Sequence, residues 1–178
     1  NWDGTDPFCL APPDFSTPSA IFCIQWSPDG SKVSFIQNNN VMLVNWDGTG
    51  LTRLATLTGP TVIWDRAGRG LYVMYQQGAS RSIDLFSLDA GAPQRQNLAS
   101  GLIFPIGVAD ISVHPAGSPF LVMGGNSNTS FWVWPAEGGQ PQKIVPFPNV
   151  GAVPMLSPSG QKVVGQNGPS GLLLHLVN

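Results

Sequence analysis

The chain has 178 residues and a net charge of −2 at pH 7, and 10% of its residues are charged. A typical soluble domain has about 25% charged residues, so this chain lacks the basic field that attracts a nucleic-acid backbone or an anionic membrane surface. It also lacks a run near the ~20 apolar residues that cross a bilayer. We therefore expect no nucleic-acid partner and no membrane insertion.

Glycine and proline are abundant, with 21 and 17 residues respectively. This composition predicts a turn-rich fold, and one domain of this length buries roughly 70% of the surface that its unfolded chain exposes. Cys9 and Cys23 are the two cysteines. We predict that they form a disulfide worth roughly 3 kcal/mol, with two buried thiols as the alternative. Low charge, an even cysteine count and abundant Asn and Ser favour a secreted, periplasmic or cell-surface protein. Asn128 lies in a sequon and is a candidate glycosylation site.

An apolar run, a turn and a second apolar run occur at residues 24–36, and the pattern recurs three times. The later copies lie at residues 62–73, 111–122 and 153–164. The turn glycines at positions 30, 68, 117 and 160 are 38, 49 and 43 residues apart. Spacing of about 40 to 45 residues is typical of the four-stranded blades of a β-propeller.

Three of the copies continue with a third apolar run, a second turn rich in Asp and Gly, and a fourth run. The third runs are residues 41–44, 83–88 and 131–134, and the fourth runs are residues 51–56, 93–98 and 141–145. Asp-Gly between apolar runs indicates a hairpin. Proline at the start of two fourth runs fits an edge strand, which can lose a backbone donor.

The fourth copy ends after its third run, and the missing strand is found at the other end of the chain. Residues 1–5 repeat residues 45–49 without a change. The predicted closing strand contains Asn1, Trp2, Asp3, Gly4, Thr5, Pro7, Phe8 and Leu10. This strand either completes the last blade of its own chain or inserts into a neighbouring copy, which would build a head-to-tail filament.

The predicted fold is therefore an all-β, four-bladed β-propeller of four-stranded antiparallel blades, in which the N-terminal strand completes the last blade. The domain spans residues 1–178. Its blades are expected at about residues 21–57, 60–99, 106–146 and 150–178, the last together with residues 1–12.

The Trp-Ser-Pro-Asp-Gly run at residues 26–30 resembles the WD40-like repeats of the TolB propeller superfamily, with weaker copies at residues 114–117 and 157–160. The resemblance spans essentially the whole chain. It implies a propeller fold of a kind that serves in scaffolds, periplasmic partners, peptidase gating domains and lectin-like binders. Such relatives usually have six or more blades, whereas this chain has four repeats.

No familiar catalytic or metal-binding motif is present in the sequence, so we expect no catalytic residue, no metal, no cofactor and no enzymatic activity. His114 occupies a turn position and His175 a strand of the last copy. Most acidic residues fall in the turns, where Asp caps its own backbone. The alternative for Asp65, Asp84 and Asp110 is a central cation or a polar channel lining.

The tryptophans also follow the repeat, since Trp26 matches Trp64 and Trp2 matches Trp46. We expect them to pack between blades, together with Trp132 and Trp134. Sugar binding is the alternative, because aromatic faces on loops bind sugars and the tips at residues 38–40 and 124–130 are polar.

The predicted function is that of an extracellular structural or interaction module, with other copies of itself or another protein as its partner. The preferred hypothesis is self-association through the N-terminal strand. The alternatives are a carbohydrate-binding propeller with glycan partners, and a docking or gating domain of a larger protein.

Overall fold

The computed structural model describes residues 21–89, 91–102, 108–113, 120–124, 130–134, 142–146, 155–156, 162–167 and 171–176, with side chains for those up to residue 102. All regular structure in these residues is β-strand. The first sheet contains β1 (Ile21–Trp26), β2 (Lys32–Gln37), β3 (Asn40–Asn45) and β4 (Thr52–Thr56). The second contains β5 (Thr58–Trp64), β6 (Gly70–Gln77), β7 (Ser80–Ser87) and β8 (Gln94–Leu102).

The third and fourth sheets follow the same plan. The third contains β9 (Val108–Val113), β10 (Phe120–Gly124), β11 (Ser130–Trp134) and β12 (Gln142–Pro146). The fourth contains β13 (Met155–Leu156), β14 (Lys162–Asn167) and β15 (Gly171–Leu176). In every sheet, each strand pairs antiparallel with the strand next to it in sequence.

These sheets confirm the predicted all-β class and the four-stranded antiparallel blades. Among the described residues the fourth sheet has three strands, and the segment expected to supply its fourth strand, residues 1–12, lies outside them. That part of the prediction, and the exact limits of the blades, remain predictions.

The turn between β1 and β2 is held by the side chains that the sequence places there. Ser27 N–H donates to the Lys32 carbonyl at 2.8 Å, and Gly30 N–H donates to the Ser27 carbonyl at 2.9 Å. The Asp29 carboxylate accepts hydrogen bonds from the Ser27 hydroxyl at 2.6 Å and from Ser31 N–H at 3.0 Å. Gly30 has a φ of 71°, a left-handed conformation that favours glycine.

The second copy closes its turn in the same way with a different residue. Asp65 N–H donates to the Gly70 carbonyl at 2.9 Å, as Ser27 N–H does to Lys32. Its carboxylate accepts from Arg69 N–H at 2.7 Å. Aspartate can replace serine at this position because both side chains offer an oxygen that caps nearby backbone donors.

The first and second sheets share a continuous apolar core. It contains Ile36, Val41, Leu43, Val62, Trp64, Leu71, Val73 and Phe86. The first three come from the first sheet and the others from the second, so the two sheets pack face to face. Burial of each such side chain is worth about 1.5–3 kcal/mol, which makes this interface the main source of stability among the residues with described side chains.

The opposite face of the first sheet is also apolar. Val33, Phe35 and Val44 form a separate buried cluster there, with relative exposures of 5% or less. Since paired residues share a face, the Val33–Val44 pair and the Ile36–Val41 pair of β2 and β3 lie on opposite faces. The first sheet is therefore hydrophobic on both of its faces.

Candidate functional site

Several predicted site residues lie outside the described residues. These are the closing-strand residues, Cys9, the sequon at Asn128, His114 and residues 125–129 of the polar tip at 124–130. The disulfide, the glycosylation site and the closing strand therefore remain predictions. Cys23 is partly buried against the core shared by the first two sheets and has a φ of 53°. His175 lies in β15, in the strand position expected for it, opposite Val163.

Trp64 shows how the second sheet packs on the first. Its side chain is 6% exposed, and its indole Nε1–H donates to the Gln25 carbonyl of β1 at 3.3 Å. In return, Gln25 Nε2 donates to the Val62 carbonyl of β5 at 3.1 Å. The predicted packing between blades is confirmed for Trp64. The two innermost strands are thus joined by polar contacts as well as by the apolar core.

Trp26 and Trp46 do not share this environment. They are 58% and 57% exposed, and Ile24 is 63% exposed. Trp26 pairs with Val33, so it lies on the face of the first sheet that points away from the second. Ile24 precedes Trp26 by two residues and Trp46 follows Val44 by two, which places them on the same side. The packing expected for Trp26 and Trp46 is therefore corrected, since within the single chain they are solvent-exposed.

We name the surface formed by Ile24, Trp26 and Trp46 the open face. Large apolar side chains on a protein surface are individually common, but three together beside a buried cluster indicate an interaction site. The open face continues directly into the buried cluster of Val33 and Val44. It is the strongest candidate site among the residues whose side chains are described.

Two carboxylates lie at the turn end of this sheet. Hydrogen bonds from the Ser27 hydroxyl, the Ser31 N–H and the Ser31 hydroxyl lower the pKa of Asp29 to about 2 from its usual 3.8. The hydroxyl and N–H of Thr49 lower the pKa of Asp47 in the same manner. Both carboxylates are therefore anionic at neutral pH, and each accepts hydrogen bonds within its own turn. The open face is thus apolar, with these two acidic groups at its edge.

Asp84 is buried inside the second sheet, an environment that the sequence did not indicate. The carboxylate is fully buried and accepts from Arg95 Nε at 2.6 Å and from Asn97 Nδ2 at 2.7 Å. Arg95 also donates to the Tyr75 hydroxyl at 3.2 Å. These contacts join β7 to the outermost strand β8. The alternative role of Asp84 in a cation site or channel lining is thus corrected, because each of its carboxylate oxygens accepts a hydrogen bond from a side chain of its own sheet.

A buried carboxylate without such partners would destabilise the fold, so the Arg95 and Asn97 contacts explain why Asp84 is tolerated in the interior. Asp65, the second residue considered for a cation, caps its own turn. Asp110 lies in β9, and its side chain is not among those described. Within the described part of the chain, no group of three or more His, Cys, Asp or Glu side chains could hold a metal ion. The same residues include no helix long and apolar enough to span a membrane.

The fourth sheet offers a second candidate, its edge. Among the described residues β15 pairs with β14 alone. The corresponding strands of the first three sheets, β3, β7 and β11, each pair on both sides. An edge strand presents unpaired N–H and C=O groups and is a template for an added strand.

No protein-family model matches the sequence, and no curated protein matches it. Solved structures match the fold. An oligogalacturonate lyase in complex with manganese has a TM-score of 0.68 at 15% identity, over 87% of this chain and 47% of that one. TolB from Acinetobacter baumannii has a TM-score of 0.65 at 12% identity, over 88% and 40%. The periplasmic gluconolactonase of Pseudomonas aeruginosa has a TM-score of 0.57 at 16% identity, over 90% and 50%.

The fold is a β-propeller. This confirms the predicted fold and its resemblance to the TolB type at the level of architecture. The chain spans about half the length of these propellers. At such low identity the likeness concerns the fold alone.

The expectation of a protein without enzymatic activity is wrong as drawn. It rested on the lack of a familiar motif, yet matching propellers include a lyase and a gluconolactonase. A propeller can therefore be an enzyme, and motif absence does not exclude activity here. The open face was also missed from the sequence, because the repeat places Trp26 in the same column as the buried Trp64.

Proposed function

We propose that this propeller is an interaction module that associates with further copies of itself, and that its N-terminal segment supplies the strand that joins one copy to the next. The observation that carries the proposal is the fourth sheet, which among the described residues has three strands where the other sheets have four. Association through an added strand would give β15 the ladder partner that its counterparts β3, β7 and β11 already have.

The sequence of the N-terminal segment supports this role. Residues 1–5 are identical to residues 45–49, which form the turn that leads from β3 into the outermost strand β4. In that turn Asn45 N–H donates to the Thr49 carbonyl at 2.9 Å and Thr49 Oγ1 donates to Asp47 at 2.6 Å. Residues 1–5 have the same hydrogen-bond donors and acceptors, so the segment can form the same turn ahead of an outermost strand.

Pro7 indicates which side of that strand would face β15. Proline has no N–H, so it is tolerated in an edge strand only where the donor would point to solvent. Backbone groups alternate along a strand, and the N–H groups of Phe8 and Leu10 would then face the ladder. Proline at these two positions should block the added strand.

The test compares the 178-residue chain with its Phe8→Pro/Leu10→Pro variant by sedimentation velocity over a concentration series. We expect the parent to form concentration-dependent oligomers and the proline variant to lose them. The matched control is Phe8→Thr/Leu10→Thr, which keeps both backbone donors and a residue of good strand propensity. A parent chain that stays monomeric at every concentration, or a proline variant that associates as well as the threonine control, would overturn the proposal.

Carbohydrate binding is the second candidate, and the exposure of Trp26 and Trp46 favours it. Exposed aromatic rings present an apolar face to a sugar while polar groups nearby bind hydroxyls. The name of the matching oligogalacturonate lyase adds that a propeller of this type acts on an acidic oligosaccharide. Titration with oligogalacturonate should then change the tryptophan fluorescence of the parent and not that of a Trp26→Ser/Trp46→Ser variant. An unchanged parent spectrum would exclude this candidate for that sugar.

We also propose a periplasmic or extracellular location. The low charge of the chain supports it, as does the periplasmic gluconolactonase among the matching structures.

A further inference from the structure

Asp84, Arg95 and Asn97 form one polar cluster on the second sheet. Asp84 lies on β7, and Arg95 and Asn97 lie two residues apart on the outermost strand β8. Asn97 pairs with Asp84, and Arg95 pairs with Phe86, a member of the core that the first two sheets share. Paired residues share a face, as do residues two apart on a strand. All three polar side chains therefore lie on the side of the second sheet that faces the first.

One carboxylate holds the other two side chains next to each other. Asp84 Oδ2 accepts from Arg95 Nε at 2.6 Å, and Asp84 Oδ1 accepts from Asn97 Nδ2 at 2.7 Å. The Asp84 side chain is 0% exposed, whereas the Arg95 side chain is 46% exposed. The cluster therefore consists of a buried anchor and a cation that solvent can reach.

The guanidinium of Arg95 is held by two aromatic residues as well. Its Nη2 donates to the Tyr75 hydroxyl at 3.2 Å. Its Cζ lies 5.6 Å from the centroid of the Tyr75 ring and 5.7 Å from that of the Phe86 ring, within the range of a cation–π contact. A surface arginine usually loses rotamer freedom when it binds a ligand, whereas this one is already fixed.

Arg95 keeps donors for a further partner. A guanidinium has five N–H donors in a planar fork. Nε and one N–H of Nη2 donate to Asp84 and Tyr75, which occupies one edge of the fork. Among the residues whose side chains are described, the other edge, formed by Nη1 and the second N–H of Nη2, meets no acceptor. Two parallel N–H groups of this kind match the two oxygens of a carboxylate.

Asn97 places an acceptor beside these donors. Its Nδ2 donates to Asp84 at 2.7 Å and to the Ala99 carbonyl at 3.2 Å, which leaves Oδ1 as the remaining polar atom of the side chain. Within the described part of the chain, no donor bonds to that oxygen. A ligand that complements the cluster therefore has a carboxylate for Arg95 and a neighbouring donor for Asn97.

The surroundings of the cluster favour a sugar acid over a protein. The exposed residues at this end of β8 are all polar: Gln94, Arg95, Gln96 and Asn97. A protein interface usually depends on a central aromatic or apolar anchor, which this surface does not offer. A sugar acid carries a carboxylate and adjacent hydroxyl donors. Stability alone does not explain the buried ion pair either, since apolar residues in its place are often as stable.

We propose that Arg95 and Asn97, positioned by Asp84, bind the carboxylate and a neighbouring hydroxyl of a sugar acid. Arg95 would donate two N–H groups to the carboxylate, and Asn97 Oδ1 would accept from the hydroxyl. Asp84 cancels the charge of Arg95 at a distance, so recognition depends on geometry at contact. The site is separate from Trp26 and Trp46, and the proposal does not depend on self-association.

The first experiment titrates the isotope-labelled 178-residue chain with D-galacturonate. NMR follows Arg95 Nε–H, the Asn97 side-chain amide and the backbone amides of β8. The matched control is D-galactose, which has a hydroxymethyl group in place of the carboxylate. We expect saturable shifts with galacturonate and a dissociation constant at least about tenfold larger with galactose, because the paired charge-assisted hydrogen bonds are lost. Equal binding of both sugars, or no shift with galacturonate, would overturn the proposal.

A second titration identifies the source of the carboxylate. The probe is glutamate with an acetylated amino group and an amidated α-carboxyl group, which offers one carboxylate on a peptide backbone without sugar hydroxyls. We expect it to bind more weakly than galacturonate. Binding as tight as that of galacturonate would assign the site to acidic peptides and overturn the choice of a sugar acid.

The protein-side test is the Arg95→Lys variant, which keeps a cation for Asp84 and loses the planar fork of donors. We expect its affinity for galacturonate to fall about tenfold or more. The matched control is Arg53→Lys, since Arg53 is exposed on β4, the outermost strand of the first sheet. Equal affinity of Arg95→Lys and the parent would overturn the proposal. Urea unfolding shows whether the variant keeps its fold, and the comparison of the two sugars needs no substitution.

Discussion

Ser27 and Asp29 illustrate how single residues fix this fold. Ser27 is 3% exposed, and its hydroxyl donates to Asp29 while accepting from Lys32 N–H at 2.9 Å. A side chain that both donates and accepts satisfies two groups of a tight turn at once. The sequence predicted an Asp-containing turn here because Pro, Asp and Gly each favour one of its positions. It did not predict that the carboxylate would be held by serine hydroxyls from both sides.

The Ser27→Ala variant should raise the pKa of Asp29 from about 2 toward its usual value of 3.8, because it removes the largest cause of the shift. A lowered carboxyl pKa stabilises the fold above the unfolded pKa, and this stabilisation is lost as the pH falls through the folded pKa. The parent should therefore be more stable than the variant at neutral pH, and the part of the difference due to Asp29 should disappear between pH 4 and pH 2. NMR titration of the Asp29 carboxyl, with urea unfolding at several pH values, checks both points. An Asp29 pKa unchanged in the variant would contradict this account.

At the scale of the element, the turns were easier to predict than the strands. The hairpin turns follow from local chemistry, such as the left-handed Asn38 and Asn39, with φ of 48° and 63°, which join β2 to β3. The predicted run at residues 93–98 proved longer, since β8 continues to Leu102. Leu102 is 1% exposed and packs with Tyr72 and Met74, contacts that are distant in sequence and leave no local signal.

The strands also contain irregularities that the repeat did not reveal. The register of β1 on β2 shifts between Phe22 and Gln25, and that of β5 on β6 shifts between Thr58 and Thr61. A bulge alters which residues face the core, so the apolar pattern alone assigns the faces of an inner strand poorly. This is one reason why the environment of Trp26 required a structure, whereas the number and order of strands did not.

Substitution of the two equivalent tryptophans measures how much burial between two sheets contributes to the free energy of unfolding. Trp64→Ala should destabilise the monomer by about 3–5 kcal/mol, because the side chain is buried between two sheets. Trp26→Ala, in the same column, should cost about 1 kcal/mol or less at a concentration where the chain is monomeric, since the side chain is largely exposed. Urea unfolding followed by circular dichroism gives both free energies. Equal losses would mean that Trp26 is covered in solution.

For the whole molecule, the balance of 10 acidic and 8 basic residues predicts an association governed by apolar contacts. Raising the salt from about 50 mM to about 500 mM should change the association constant by about threefold or less, since salt screens exposed charges and leaves apolar burial in place. Calorimetric dilution should show a negative heat-capacity change on association. A steep loss of association with salt would indicate an ionic interface instead of an apolar one.

The pairing of every strand with its neighbour in sequence has a kinetic consequence. Each ladder closes a short loop, and the entropic cost of loop closure grows with loop length, so a sheet can form without waiting for distant segments to meet. The first two sheets, which share the larger described core, would then act as the nucleus on which later sheets are added one at a time. During synthesis this pair emerges ahead of residues 103–178, and the chain could begin to fold on the ribosome before its second half has been made.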